Sequence, residues 1–390
     1  METNRDILIS GASVAGPALA YWLSRYGFKP TVVERAPALR GGGYAVDFRG
    51  KVHLGVLSKM GVLDSIQAQQ TRLSSITYVD QDGRPVSRMP AGIFAGDVEI
   101  LRGDLGRILY DATSDGSEYV FGDSITGISQ RPDGVHVTFS RGAPRVFGLV
   151  IGADGLHSNV RKLVFGEDGG PVRDLGYYVS IYTVPDSLVQ ERAGLLHSVP
   201  GRTAGVFSAG RQAIAQFYFS STDAGYDHQD VEQQQKILVD AFTGVGWRVP
   251  DLLDAMREAP DFYFDSVSQV YLDRWSSGRV ALIGDAACAA GPGGNGTGNA
   301  VVAAYVLAGE LAATNGDYRT AFDRYERLMR PYIAKGQKQA KGGSQFLAPP
   351  TEKRIRQRDR FFRMVGYLPA KGIIRYLSTR TATGIDLPSY

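Results

Sequence analysis

The sequence predicts an α/β fold: a nucleotide-binding domain assembled from discontinuous segments, a β-sheet domain inserted into it, and a C-terminal helix. Three observations predict it. A strand, a glycine turn, a helix and a second strand open the chain; two later apolar strands each run into an acidic residue and a helix; and a strand-rich stretch separates those two strands. In order, Asp6–Ser10 is a β-rich run, Val14–Tyr26 is helical and Pro30–Glu34 returns to strand. A helix is expected from about Gly50 to Leu63. Runs around Ile76, Val98–Leu101, Ile125–Ser129, Val135–Ser140 and Val146–Ile151 alternate as strands, with Asp82-Gly83 and Asp133-Gly134 as turn signals. Between Leu175 and Gln269 lie further strand-like stretches and two helices, Val231–Phe242 and Leu252–Arg257. The apolar strand Arg279–Ile283, a glycine loop and a helix over Ala300–Leu311 follow. The expected division is 1–170 and 270–345 for the nucleotide-binding domain, with part of 70–110 contributing to the substrate side, 171–269 for the inserted sheet, and 350–390 for the C-terminal helix and tail. A ligand pocket is expected between the two domains.

Composition narrows the function classes. With 390 residues, 43% of them hydrophobic, the chain can bury a full core. Its 48 glycines cluster, as in Gly41–Gly43 and Gly291–Gly298, where backbone approaches a ligand. The 43 basic and 40 acidic residues are interspersed, so no one-sided field for nucleic acid is expected. Lys353–Arg363 reads as an amphipathic helix with a basic solvated face and apolar positions at Ile355, Phe361, Phe362, Val365 and Leu368. The single cysteine, Cys288, excludes an intrachain disulfide and fits a reducing compartment. His53, His136, His157, His197 and His228 are dispersed without metal-ligand spacing, and His197 and His228 are expected in solvated loops; no metal is expected. No apolar run reaches bilayer length, and acidic residues precede Ile7–Leu23, unlike a signal peptide. A cytoplasmic monomer without membrane insertion is the expectation.

Three motifs carry chemistry. Gly11-Ala12-Ser13-Val14-Ala15-Gly16 sits where strand meets helix, and Glu34 ends the next strand. A tight turn at Gly11, a helix N-terminus for pyrophosphate, close packing at Gly16 and a carboxylate for ribose hydroxyls make a Rossmann-like dinucleotide site, with Ser13 where glycine is usual. The second motif is Leu149-Val-Ile-Gly-Ala-Asp154-Gly155-Leu156-His157-Ser158-Asn159-Val160-Arg161. The third is Arg279-Val-Ala-Leu-Ile-Gly284-Asp285-Ala-Ala, followed by Pro292-Gly-Gly-Asn-Gly296-Thr297-Gly-Asn. An acid directly after a buried strand either meets a ligand or caps a helix.

Together and in this order, from Asp6 to about Pro331, these motifs resemble the class A flavoprotein monooxygenases, the para-hydroxybenzoate hydroxylase type. The resemblance implies that FAD is held by the first motif with Glu34 and Arg35, by Arg102, and by Asp285 at the ribityl-pyrophosphate region, with Asp154 serving FAD and the nicotinamide cofactor. The stretch Arg40-Gly-Gly-Gly-Tyr-Ala-Val-Asp47 is similar to the tetracycline-inactivating subgroup, which implies Arg40 near the nicotinamide cofactor and Asp47 near the flavin. Pro292, Gly296 and Thr297 match the family's flavin-facing glycine loop. Many members carry histidine where Cys288 stands, which leaves individual contacts to the ring open.

The activity implied is hydroxylation of a phenolic or enolic polycyclic substrate, such as a tetracycline, with NADPH or NADH as reductant and O2 as co-substrate, through a flavin hydroperoxide. The protein then mainly orients substrate and excludes water, and no side chain is assigned as catalytic. Gln216, Phe217 and Phe219 are the candidate substrate residues on the inserted sheet, with core packing as the competing reading of the two phenylalanines. Preference for NADPH over NADH is what the resemblance implies, and Arg40 and Arg161 are compatible with it. A polyketide-tailoring hydroxylase, a non-oxygenating flavin reductase and a non-enzymatic binding protein of the same fold stay open as alternatives.

Overall fold

The computed structural model describes residues 5–73, 75–90, 96–166, 172–189, 193–209, 212–221, 225–341, 343–367, 379 and 381–390. Two large sheets organise them. The first runs Ser276–Ser277, Val280–Leu282, Leu149–Gly152, Asp6–Ser10, Lys29–Glu34, Glu118–Phe121, parallel except for its first pair. Its central strands are apolar on both faces because helices cover both, and Ile7, Leu8, Ile9, Val150 and Ile151 are fully buried. Helix Ala15–Arg25 packs against helix Gly296–Ala313, which is buried almost all round and so reads as a continuous apolar run.

The second sheet runs Tyr263–Val270, Val172–Val184, Gln212–Ser220, Arg202–Ala209, Ala193–Val199, Ser75–Val79, Pro85–Pro90. All its pairs are antiparallel except Ala193–Val199 with Ser75–Val79. One face packs under helices Val231–Phe242 and Val249–Ala255, around Tyr182, Phe217, Phe219, Phe242 and Leu252. The other face turns to the nucleotide-binding side, where Leu101 packs on Ile214 and Phe207. Smaller sheets pair Ala45–Phe48 with Val98–Leu101, and Gly134–Phe139 with Arg145–Phe147 and Ile125–Arg131.

Several expectations are corrected. The helix from Gly50 stops at Lys59 and a second begins at Leu63, because Gly61 takes φ +72°. The run Val146–Ile151 divides at Gly148, whose N–H bonds Asp6; Arg145–Phe147 and Leu149–Gly152 join different sheets. Tyr318–Ala340, unassigned from the sequence, is a helix of 23 residues that carries Pro331 in its interior. His197 is not in a loop: it lies buried on Ala193–Val199, its Nδ1–H donating to the Val79 carbonyl at 3.0 Å. The C-terminal helix spans Glu352–Tyr367, with Phe362 buried and Phe361 exposed, and Leu368 lies outside the described residues. No helix among the described residues is long and apolar enough to cross a membrane.

Candidate active site

The first motif forms the turn its glycines require. Gly11 takes φ +110°, and a side chain there would meet the Ala153 carbonyl at 2.5 Å; at Gly16 a Cβ would lie 1.9 Å from the Gly11 oxygen. Strand, turn and helix therefore approach as closely as backbone allows. Glu34 accepts the Ala12 N–H at 2.9 Å and the Ala36 N–H at 2.8 Å, which holds its carboxylate against the turn. The helix that follows has no side-chain cap, the arrangement a bound anion would complete. Ser13, where glycine is usual, accepts a hydrogen bond from Arg102 Nε at 3.1 Å. Arg102 also donates to the Tyr44 hydroxyl at 3.4 Å and stacks its guanidinium 5.4 Å over that ring. The Tyr44 phenol, then Tyr263, Asp285 and Glu34, hold Arg102 in its charged form against the burial that opposes it.

The second and third motifs differ in what their acids do. Asp154 accepts from the Ser158 hydroxyl, from Val160 N–H at 3.0 Å and from Ser10 Oγ at 3.4 Å. Both of its oxygens thus brace the start of helix Asn159–Phe165, whose N-cap is Ser158. Asp285, by contrast, is solvent-exposed, and no donor among the described residues bonds its carboxylate. Desolvation raises its pKa, Arg102 and Arg161 oppose that rise, and the charge of Asp265 adds to it. Arg161 is buried and donates to the Ala286 carbonyl at 3.0 Å, tying motif two to motif three; a side chain so engaged is not available to a cofactor phosphate, which corrects its expected part in NADPH preference. Helix Gly296–Ala313 starts beside Asp285, its N-cap Asn295 in the left-handed region and without a side-chain cap. An uncapped helix of 18 residues points its positive end into the concavity. Pro292 lies half-buried in the loop before that helix, and Thr297 half-buried in its first turn.

Beneath that loop, buried His53 packs against Gly298, its Nδ1 accepting the Arg49 N–H at 3.1 Å and its Nε2 donating to Tyr332 at 2.8 Å. Asp47 pairs with Arg49, and burial raises its pKa more than that partner lowers it. Arg35 and Arg40 are exposed. The adjoining glycine loop is fixed from two sides: Gly42 O accepts from Gly103 N at 3.0 Å, and Asp261, which accepts from Thr183 N and Oγ1 at 2.8 and 2.7 Å, lies 3.5 Å from Gly43 N.

Strand register decides which residues of the second sheet reach this concavity. On Gln212–Ser220, Gln216 and Tyr218 share the open face with Ile214, and their neighbours across the sheet are Val179, Ile181, Thr203 and Gly205. Tyr263 and Asp265 stand on the same face of the edge strand, and the Tyr263 ring tilts against Tyr44 at 5.9 Å. Phe217 and Phe219 point the other way. They are 0% and 2% exposed among Tyr182, Tyr178 and Phe242, so the two phenylalanines are core and not substrate contacts. At the far end of the open face, Arg358 of the C-terminal helix lies 3.7 Å over the Tyr78 ring, paired with Asp359 at 3.1 Å and bonded to Ser198 at 3.1 Å. Asp261, Tyr263, Asp265 and His53 were missed as site residues; strict alternation through Phe262-Tyr-Phe-Asp265 is the signal that pairs Tyr263 with Asp265.

These features fit FAD: an uncapped helix behind a glycine turn with an adjacent carboxylate, an unpartnered acid, and a second uncapped helix end facing the sheet. The comparisons agree. The FAD binding domain family matches residues 4–336. An uncharacterised protein of Mycobacterium tuberculosis is 45% identical over 85% of this chain and 92% of its own length. A flavin-dependent monooxygenase of Legionella longbeachae is 38% identical over 87% of this chain and 88% of its own. The crystal structure of tetracycline destructase Tet(51) superposes with a TM-score of 0.87 at 35% identity, covering 99% of both chains, and that of Tet(55) with 0.85 at 36%, covering 100% of both. This chain belongs to the FAD-binding-domain family of class A flavin monooxygenases and is an FAD-dependent monooxygenase.

Proposed function

We propose that this monooxygenase uses NADPH or NADH and molecular oxygen to hydroxylate a phenolic or enolic polycyclic substrate of the tetracycline class. The observation that carries the reading is the face of the seven-stranded sheet turned to the nucleotide-binding side, which runs from Tyr263 through Ile181, Gln216 and Tyr218 to Thr203, before the C-terminal helix covers Leu196 and Tyr78. Those residues span four adjacent strands, about 14 Å at ~4.8 Å per strand. Apolar residues on that face suit a fused-ring skeleton, and Gln216 and Tyr218 offer hydrogen bonds to ring oxygens. The likeness to Tet(51) and Tet(55) over the whole chain points to the same substrate class.

When bound and reduced, the flavin supplies the activated oxygen. The chain's own part is placement. Gly11, Ser13, Gly16, Glu34 and Arg102 would hold the adenosine and pyrophosphate end, and Asp285 the ribityl region. The N–H groups of Gly296 and Thr297 at the helix N-terminus would stabilise negative charge on a reduced flavin bound there. Exposed Arg40, beside the pinned Gly41–Tyr44 loop, is free to meet the nicotinamide cofactor's phosphates. The sheet and the Arg358–Tyr78 contact of the C-terminal helix keep water from the reacting face.

The test is to follow NADPH oxidation in air by the FAD-loaded enzyme, with and without a tetracycline, and to weigh the product. Stimulated oxidation with a product heavier by one oxygen atom is expected. Flavin reduction without stimulation by any tetracycline overturns the substrate class and leaves the enzyme class standing.

A further inference from the structure

We propose that His157, His228 and Asp265 form a binding site for a divalent cation of the zinc class that clamps the nucleotide-binding side of the molecule to the inserted sheet. The sequence hides this site because its ligands come from three separate segments. His157 follows the Asp154-Gly155 turn, Asp265 lies on strand Tyr263–Val270, and His228 precedes helix Val231–Phe242. Folding brings their ligand atoms within 4.8 Å of one another. His157 Nε2 and Asp265 Oδ1 are 2.9 Å apart, and the His157 and His228 ring centroids are 3.5 Å apart.

Geometry favours zinc over the hard cations. Tetrahedral zinc with bonds of about 2.0–2.2 Å sets its ligand atoms roughly 3.3–3.5 Å apart. The His157–Asp265 pair already stands near that spacing. The widest pair, within 4.8 Å, must close by at most ~1.5 Å, a shift an exposed loop histidine makes by rotating its side chain. Two imidazoles and one carboxylate suit zinc, copper or nickel, whereas calcium and magnesium demand oxygen ligands. Three protein ligands leave a fourth position, on the solvent side of His228, for water.

The surroundings are those of an oriented ligand. Asp265 accepts from the Tyr226 hydroxyl at 2.7 Å, from Ser266 N–H at 2.8 Å and, on its other oxygen, from the Tyr263 hydroxyl at 3.1 Å. Such outer hydrogen bonds fix a carboxylate's direction before a metal arrives. Tyr263 in turn packs against Tyr44, which lies over Arg102, so the clamp sits one residue from the groove that receives the flavin.

The experiment uses the full chain without an affinity tag, loaded with FAD, stripped with a chelator and titrated with Zn2+ by calorimetry and against a chromogenic zinc indicator. One equivalent is expected to bind, with a rise in melting temperature and no uptake of Mg2+. His228→Ala, an exposed substitution that leaves the fold and the flavin spectrum unchanged, is expected to abolish that equivalent. Tyr226→Phe is expected to weaken it by about 10–100-fold, the effect of losing an outer hydrogen bond to a metal ligand. Absence of zinc uptake overturns the proposal. So does uptake unchanged in His228→Ala, including the case in which His136→Ala removes it instead and assigns it to the surface pair His136–Asp133.

Discussion

Substituting Phe217 by alanine separates the two faces of the inserted sheet. Phe217 is 0% exposed, stacked on Tyr182 at 5.9 Å and edge-on to Phe242 at 4.9 Å, so the change deletes a ring from the core beneath helix Val231–Phe242. Phe→Ala in such a site costs about 3–5 kcal/mol. Unfolding entropy of ~2.1 cal/mol/K per residue gives the 390-residue chain about 0.8 kcal/mol/K, so a drop in melting temperature of roughly 4–6 °C is expected for a single cooperative transition. Tyr218→Phe, one residue on but facing the groove, removes a hydroxyl worth about 1 kcal/mol and moves the melting temperature by only ~1–2 °C. Calorimetry of both FAD-loaded variants, paired with the substrate dependence of NADPH oxidation, reads the difference. Phe217→Ala should lose stability and keep its KM; Tyr218→Phe should keep stability and raise KM. A Phe217→Ala enzyme with unchanged melting temperature and altered KM refutes the assignment of faces.

Gly298→Ala places a Cβ 2.1 Å from the His53 ring, which its Arg49 and Tyr332 hydrogen bonds prevent from retreating; overpacking of about 1–3 kcal/mol and reduced FAD content, read by the flavin-to-protein absorbance ratio, are expected. Burial lowers the His53 pKa from 6.5 to about 3, so the unfolded chain binds the extra proton first and stability, complete above pH 6.5, falls as pH drops toward 3. Between pH 7.5 and 5 that loss is about 2 kcal/mol at ~1.4 kcal/mol per pH unit, and denaturant titrations of His53→Gln should show it flattened. Cys288 is buried, its pKa raised by desolvation and by Asp285, and its Sγ–H donates to the Gly284 carbonyl at 3.4 Å; a thiol reagent should label the native protein far more slowly than the unfolded chain.

Local signals made the nucleotide-binding side legible. The turn at Gly11, the strand Lys29–Glu34 and the acid after each buried strand need only neighbouring residues, and the helix Val231–Phe242 announces itself by Asp230 at its cap and by its period. The helix Tyr318–Ala340 is hard to read locally because Pro331 interrupts a pattern that Phe322, Tyr325, Met329, Tyr332 and Ile333 otherwise carry. Asp154 and Asp285 look alike in sequence, each following an apolar strand, and only the third dimension shows one braced by Ser158, Val160 and Ser10 and the other without a donor among the described residues.

The inserted sheet was harder for a physical reason. Period-two alternation sorts Gln216 and Tyr218 from Phe217 and Phe219 but does not say which set meets the core. Composition on the two sets does. A face of aromatic hydrocarbon can be sealed under a helix at no polar cost, whereas burying an amide and a phenol there would leave their hydrogen bonds to be satisfied. The polar set therefore favours the other face, where Gln216 Nε2 donates to the Tyr218 hydroxyl, and in this chain that face is the one turned to the nucleotide-binding side. The same reasoning applies to Tyr263 and Asp265 on the edge strand. Polarity along alternating positions of a strand whose neighbours are apolar marks the ligand side of a sheet, and aromatic size does not.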